Sequence, residues 1–201
     1  EDIKKYLGNY KYKYLYNNKC AKPGIVNTLA YTPYGGLVLK TTSVYYKGNG
    51  NIEITGQIGN VMKESTTIAL SYIKENSEIF NIDYSLFTND FHIHFEEGSI
   101  PKDGPSAGVS IVTSLISTLK KMTIPNTVSM TGEITLRGKI LPVGGLKEKL
   151  ITATISNIKT VYVPLDNKEE VMEIDKSITS KLKIKYVDDY IEIYNDLFQE
   201  K

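Results

Sequence analysis

The residues best suited to chemistry lie in Pro101-Lys102-Asp103-Gly104-Pro105-Ser106-Ala107-Gly108, a turn bounded by proline and glycine that carries one small hydroxyl. After it, Gly108, Ile111, Val112, Leu115, Ile116 and Leu119 recur at the i, i+3, i+4 spacing of a helix with one buried face. That spacing predicts Ser106 in the first helical turn. Backbone N–H groups there have no intrahelical partner, and the macrodipole favours negative charge nearby. A serine oxygen so placed sits beside donors suited to a developing oxyanion. Serine among proline and glycine at a helix start is also an ordinary cap. The motif by itself leaves nucleophile and cap open.

Two kinds of side chain could activate such a hydroxyl. A helix predicted over 146–156 carries Lys147 and Lys149, and a buried lysine can serve as the base for a serine. Its apolar stripe centres between Leu146, Leu150 and Ala153, with the two lysines flanking it on opposite sides. Periodicity does not choose between them, and both could equally be solvated surface lysines. Phe91-His92-Ile93-His94-Phe95 reads as a strand whose period of two puts both histidines on one face. The pair could bind metal, act as base for Ser106, or only support a loop. The chain has no third histidine and no cysteine cluster, so no metal site is expected.

The elements that must hold these groups follow from patterning. Residues 1–24 mix Tyr and Lys, with Tyr10, Tyr12, Tyr14 and Tyr16 alternating, and read as an edge strand or N-terminal arm. Ile25-Val26, Leu37-Val38-Leu39 and Val44-Tyr45-Tyr46 read as strands. Turns are expected at Pro33-Tyr34-Gly35-Gly36 and at Gly48-Asn49-Gly50, the latter closing a hairpin into Ile52-Glu53-Ile54 to make a three-stranded antiparallel unit. Gly56 to Glu78 reads as a helix with Val61, Ser65, Ile68, Ala69, Tyr72 and Ile73 on one face. Short strands follow at Val128–Thr131, Ile134–Leu136 and Lys139–Val143, with a turn at Arg137-Gly138. Beyond the lysine helix come a strand at Thr160–Val163, a helix from Asn167, a strand at Lys183–Val187 and a terminal helix started by Asp189. This mixed order indicates an α+β fold of short mixed sheets and packed helices, with the candidate nucleophile at a helix N-terminus.

Composition removes several function classes. The 201 residues hold 24 basic and 23 acidic side chains, a formal net charge of +1, so no global field draws the chain to nucleic acid or membrane. Interleaved Lys and Tyr near the N-terminus could suit single strands, but the balanced charge argues against it. No apolar run approaches the ~20 residues needed to span a bilayer. The lone Cys20 cannot form an internal disulfide, which fits a reducing compartment. The first residues resemble neither a signal nor a transit peptide, and the chain reads as a piece of something longer.

Two blocks carry a family resemblance. The Ser106 turn, and Met130-Thr131-Gly132-Glu133-Ile134-Thr135-Leu136-Arg137-Gly138 running into Leu141-Pro142-Val143-Gly144-Gly145-Leu146-Lys147-Glu148-Lys149, resemble the proteolytic domain of Lon, the ATP-dependent protease. Tyr6-Leu7-Gly8 resembles the start of that domain, Gly56 to Glu64 its first helix, and His92 and His94 occupy positions that are His in many relatives. The resemblance covers nearly all of residues 1–201, taken as one domain with 1–24 as an arm or linker. It implies Ser106 as nucleophile and Lys149 as base of a serine endopeptidase working through an acyl-enzyme. Asp103, Gly104, Pro105, Ala107 and Thr131 would support the dyad or line the oxyanion region. Thr131 is the candidate for orienting Lys149, and Asp103 either caps the helix or pairs with Lys149 in an idle state.

The family also implies unfolded or damaged polypeptides as substrates, a homo-hexameric ring and an ATPase module on the same full-length chain. This domain itself would need no cofactor, ATP and Mg being used by that module; these 201 residues contain no Gly-x-x-x-x-Gly-Lys-Ser/Thr loop. The mitochondrial matrix is the expected address, with a bacterial-type cytoplasmic one as alternative. Glu133 and Arg137 are either subunit-interface charges or plain surface. Two departures stand out: Tyr31 replaces the frequent Trp, and Lys40-Thr41-Thr42 lacks a frequent acidic residue. Two other readings of the turn are a phosphate cradle in a small-molecule phosphotransferase, and an inert scaffold that only assembles rings or binds polypeptide.

Overall fold

The computed structural model describes residues 21–32 and 35–199; the expected arm, the Tyr6-Leu7-Gly8 match, Cys20 and the Pro33-Tyr34 part of the first turn lie outside the described residues. Nine strands and six α-helices are described, an α+β architecture. Strands β1 (Ile25–Thr32), β2 (Gly35–Tyr46), β3 (Ile52–Thr55), β4 (Asp90–Phe95), β5 (Val128–Met130), β8 (Thr160–Pro164) and β9 (Lys183–Val187) form one sheet in the order β3-β4-β2-β1-β5-β8-β9. β1–β2 and β2–β4 pair antiparallel, and the remaining neighbours pair parallel. Strands β6 (Glu133–Ile134) and β7 (Ile140–Leu141) make a separate hairpin through the expected Arg137-Gly138 turn.

The three-stranded antiparallel unit is corrected by this topology. β4 inserts between β2 and β3, so Gly48-Asn49-Gly50 closes no β2–β3 hairpin. The Asp90 carboxylate explains why: it accepts from the N–H groups of Asn49 and Asn51, both at 2.8 Å, and anchors that turn to the start of β4. The segments read as strands at 37–39 and 44–46 are one strand, β2.

Helices α1 (Asn60–Glu75), α2 (Gly108–Lys120) and α6 (Tyr190–Phe198) pack into a core on one face of the sheet. Helices α3 (Leu146–Ile155), α4 (Lys168–Met172) and α5 (Lys176–Thr179) belong to a core on the other. β8 shows the division: Tyr162 enters the first core while Val161 and Val163 enter the second. α1 begins at Asn60 rather than Gly56 and buries Met62 in place of the expected Val61, which is exposed, because Met62 lies on one stripe with the buried Thr66, Ala69 and Ile73 at i, i+4, i+7 and i+11. α2 is buried on every side from Gly108 to Leu119, not on one face. Its off-stripe residues include hydroxyls with partners far along the chain: Ser114 Oγ donates to Gly24 O at 2.6 Å and Thr118 Oγ1 to Ser43 O at 2.7 Å. A polar residue so bonded costs little to bury. At the C-terminus, Asp189 caps α6 with a full capping box closed by Glu192.

Candidate active site

Ser106 lies in a single 3₁₀ turn, Pro105–Ala107, that runs into α2, rather than in the α-helix itself. The turn is fastened to the short link between β5 and β6. Gly132 N–H donates to Ser106 O at 2.9 Å, and Val109 N–H donates to Gly132 O at 3.2 Å. Gly108 permits this approach, since a Cβ there would stand 2.8 Å from the Ile134 backbone nitrogen. On the other side Gly104 enters the turn at φ +148°, a backbone region open to glycine.

The lysine left open by the helical wheel is decided by packing. Lys147 is exposed, whereas Lys149 is only 2% exposed on the face of α3 that meets the sheet. Burial pulls its pKa down to about 8, opposed by the negative charge of Glu170. Lys149 Nζ donates to Thr131 Oγ1 at 3.1 Å, and the same hydroxyl donates onward to Ser106 O at 3.4 Å. Thr131 is itself 1% exposed. One buried hydroxyl therefore links the α3 lysine to the serine turn. A cavity of about 700 Å³ opens beside Ser106, lined with Leu29, Leu37, Leu39, Met62, Phe95 and Ile100 among its apolar side chains.

Asp103 does not pair with Lys149. Its Oδ1 accepts from Met62 N–H at 3.0 Å and Gly104 N–H at 3.1 Å, so it caps α1, not the helix it precedes. Gly59 makes room for it: a Cβ at Gly59 would lie 2.2 Å from Asp103 Oδ2. Sequence reading missed this cap because its two partners lie 41 residues apart.

The histidines stand away from the serine. His92 Nε2 and His94 Nδ1 each share a 2.8 Å hydrogen bond with Thr55 Oγ1, His92 Nδ1 lies 3.8 Å from Glu53, and neither ring lines the Ser106 cavity. Among the described residues no group of three His, Cys, Asp or Glu side chains could hold a metal ion, and no helix is long and apolar enough to cross a membrane. Arg137 is paired within the chain, to Glu75 at 2.9 Å. Tyr31 lines the cavity and packs on Gly145 at the start of α3, where an added Cβ would lie 2.9 Å from Tyr31 Cγ.

The site thus gathers a serine on a helix-start turn, one threonine tied to it, and a desolvated lysine bonded to that threonine, beside an apolar cavity. The chain belongs to the family of the Lon protease (S16) C-terminal proteolytic domain, whose model matches residues 1–200. It is 45% identical over 199 residues to a Lon protease of Aster yellows witches'-broom phytoplasma, covering 98% of this chain and 25% of that protein. A Lon protease of Metamycoplasma arthritidis is 43% identical over 202 residues, covering 99% and 24%. Lon protease 1 of Myxococcus xanthus is 46% identical over 191 residues, covering 93% and 23%. The chain thus spans about a quarter of the length of these relatives. All three come from bacteria, which argues against the expected mitochondrial address.

Proposed function

We propose that this domain is a serine endopeptidase in which Ser106 is the nucleophile and neutral Lys149 the base. The observation that carries the reading is the buried Lys149–Thr131 hydrogen bond, 3.1 Å long, joined through Thr131 to the Ser106 turn. Lys149 takes the Ser106 proton as Oγ attacks the scissile carbonyl, then delivers it to the leaving amine. Water then attacks the resulting ester and gives its proton to Lys149, which returns it to Ser106 Oγ as the ester C–O bond breaks and the acid product leaves. Thr131 accepts one Lys149 proton and so aims the lone pair of the neutral amine. Gly104, Pro105 and Ala107 shape the turn, whose first backbone N–H lies at the open end of a helical turn and suits a developing oxyanion. Asp103 holds the turn in place through α1.

The cavity favours an apolar side chain next to the scissile bond, and entry of an extended, unfolded segment. Relatives about four times as long support an ATPase module elsewhere on the full polypeptide, where ATP and Mg would act, with assembly into a homo-hexamer. Their bacterial origin supports the cytoplasm as the address. A phosphate cradle is disfavoured because the start of α2 is already taken by the Gly132 carbonyl.

The test is peptide and unfolded-protein hydrolysis by the full-length protein with ATP, beside Ser106→Ala and Lys149→Ala. Loss of cleavage in both variants with folding intact is expected. Undiminished cleavage in Ser106→Ala would overturn the reading, and silence of the unaltered protein would favour the scaffold.

A further inference from the structure

The segment from Glu96 to Pro101 follows β4 and contributes Ser99, Ile100 and Pro101 to the wall of the Ser106 cavity. It belongs to no strand or helix. Its own backbone bonds are sparse: Glu96 N–H donates to Lys40 O at 3.0 Å and Ile100 N–H to Glu97 O at 3.0 Å. Glu97 holds a left-handed φ of 63°, a conformation that a β-carbon makes unfavourable. Such a loop needs an external tie to keep one shape.

Lys102 supplies one. Its ammonium donates to three backbone carbonyls, Gly56 O at 3.0 Å, Glu97 O at 2.6 Å and Ile100 O at 2.9 Å. All of its N–H donors are thereby matched to acceptors from two separate stretches of chain. Its backbone makes a second seam, with Lys102 N–H donating to Gln57 O at 2.9 Å and Gly59 N–H to Lys102 O at 2.8 Å. Charge-assisted bonds of this kind are about twice as strong as neutral ones. The Ser106 turn has separate fastenings, through Gly132 and through the Asp103 cap on α1. Removing the ammonium would therefore loosen the cavity wall and leave the nucleophile in place.

We propose that Lys102 is a positioning residue for substrate selection: by gathering the carbonyls of Gly56, Glu97 and Ile100 it sets the shape of the Ile100–Pro101 wall against which the substrate's apolar side chain packs. This rests on Ser106 being the nucleophile and the adjoining cavity receiving substrate. Lys102 touches no reacting atom. A loosened wall grips a large apolar group less well and discriminates less between large and small ones. The loss falls on KM and on selectivity rather than on the chemical step.

The experiment uses the full-length protein with ATP and compares peptides bearing Leu or Ala on the acyl side of the scissile bond. A small fluorophosphonate that labels the nucleophile without filling the cavity reports on Ser106. In Lys102→Met, KM for the Leu peptide should rise about tenfold and the Leu-over-Ala preference should fall about fivefold, with kcat and the labelling rate within about threefold of the parent. In Lys102→Ala, ethylammonium should restore part of the Leu preference by refilling the carbonyl cage, whereas sodium at equal ionic strength should not. Unchanged KM and preference in Lys102→Met would overturn the proposal. So would a fall in labelling parallel to peptide cleavage, since Lys102 would then be holding the whole site. Failure of the parent protein to label at Ser106 would instead sink the nucleophile reading, and this inference with it.

Discussion

Lys149 Nζ donates to Thr131 Oγ1 at 3.1 Å from a position almost closed to solvent. With its pKa drawn down to about 8 by burial, the amine is mostly protonated at pH 7 and becomes a base as the pH rises through that value. If neutral Lys149 is the base, kcat/KM falls about tenfold per pH unit below the midpoint and levels off above it. Thr131→Val removes the acceptor that orients the amine and should lower kcat about a hundredfold, while Thr131→Ser, which keeps the hydroxyl, should retain most of it. A pH profile of peptide hydrolysis checks the first statement and steady-state kinetics the second.

The same buried amine weakens the fold. Lys149 has a lower pKa folded than unfolded, so between about 8 and the ordinary lysine range the unfolded chain binds more protons. Stability therefore rises with pH across that window, and the full penalty applies below it. Lys149→Met removes the charge and keeps the stem, so it should stabilise the protein at pH 7 by roughly 3 kcal/mol, a gain that fades towards pH 10. Urea unfolding at several pH values reads this directly. A destabilised Lys149→Met at pH 7 would mean that the bond to Thr131 outweighs the cost of burying the amine.

Asp103 belongs to α1 by its hydrogen bonds, although it lies three residues before Ser106. Asp103→Ala should cost about 1 kcal/mol, the usual worth of a helix cap, and Asp103→Asn should cost less because its amide oxygen still accepts. Peptidase activity should fall in step with stability, not rise as release of a latch on Lys149 would require. The acid limb of the pH profile should stay in place for both. Glu170→Gln should move it to lower pH, because Glu170 is the carboxylate whose charge holds the Lys149 proton.

Local patterns carried much of this fold. The alternation in Phe91–Phe95 correctly separates the buried rings from the histidines, and Asp189 starts the last helix with the capping box that its spacing to Glu192 permits. Non-local pairings were not legible. Nothing in the period of Ile52–Thr55 tells that β4 will take the place beside β2, because strand order is set by tertiary contacts such as the Asp90 anchor. The helical wheel placed Lys147 and Lys149 alike, and only packing of α3 on the sheet buried one of them. Hydroxyls off the apolar stripe of α2 read as solvent-facing, yet Ser114 and Thr118 are buried against partners far along the chain. The family resemblance singled out Ser106 and Lys149, with Thr131 to orient the lysine; the structure adds the hydrogen bonds that join Thr131 to Lys149 and to the Ser106 turn, and the Lys102 cage.

Gly108 is where the serine turn, α2 and the β6–β7 hairpin come closest. An added Cβ would meet the Ile134 nitrogen and Cγ2 at 2.8 Å, and backbone cannot swing aside as a side-chain end can. Accommodating Ala there would push α2 from β6 and stretch the Gly132 N–H to Ser106 O bond, 2.9 Å long in the structure. Gly108→Ala should therefore destabilise by about 1–3 kcal/mol, the usual cost of overpacking, and cut the fluorophosphonate labelling of Ser106 by more than its effect on the folded fraction. Gly144→Ala is the control, since an added Cβ there would meet no atom within 4 Å and no hydrogen bond of the turn depends on it. Denaturant unfolding and labelling of both variants side by side decide the matter. Normal labelling in a folded Gly108→Ala would show that the serine turn keeps its place without close contact to β6.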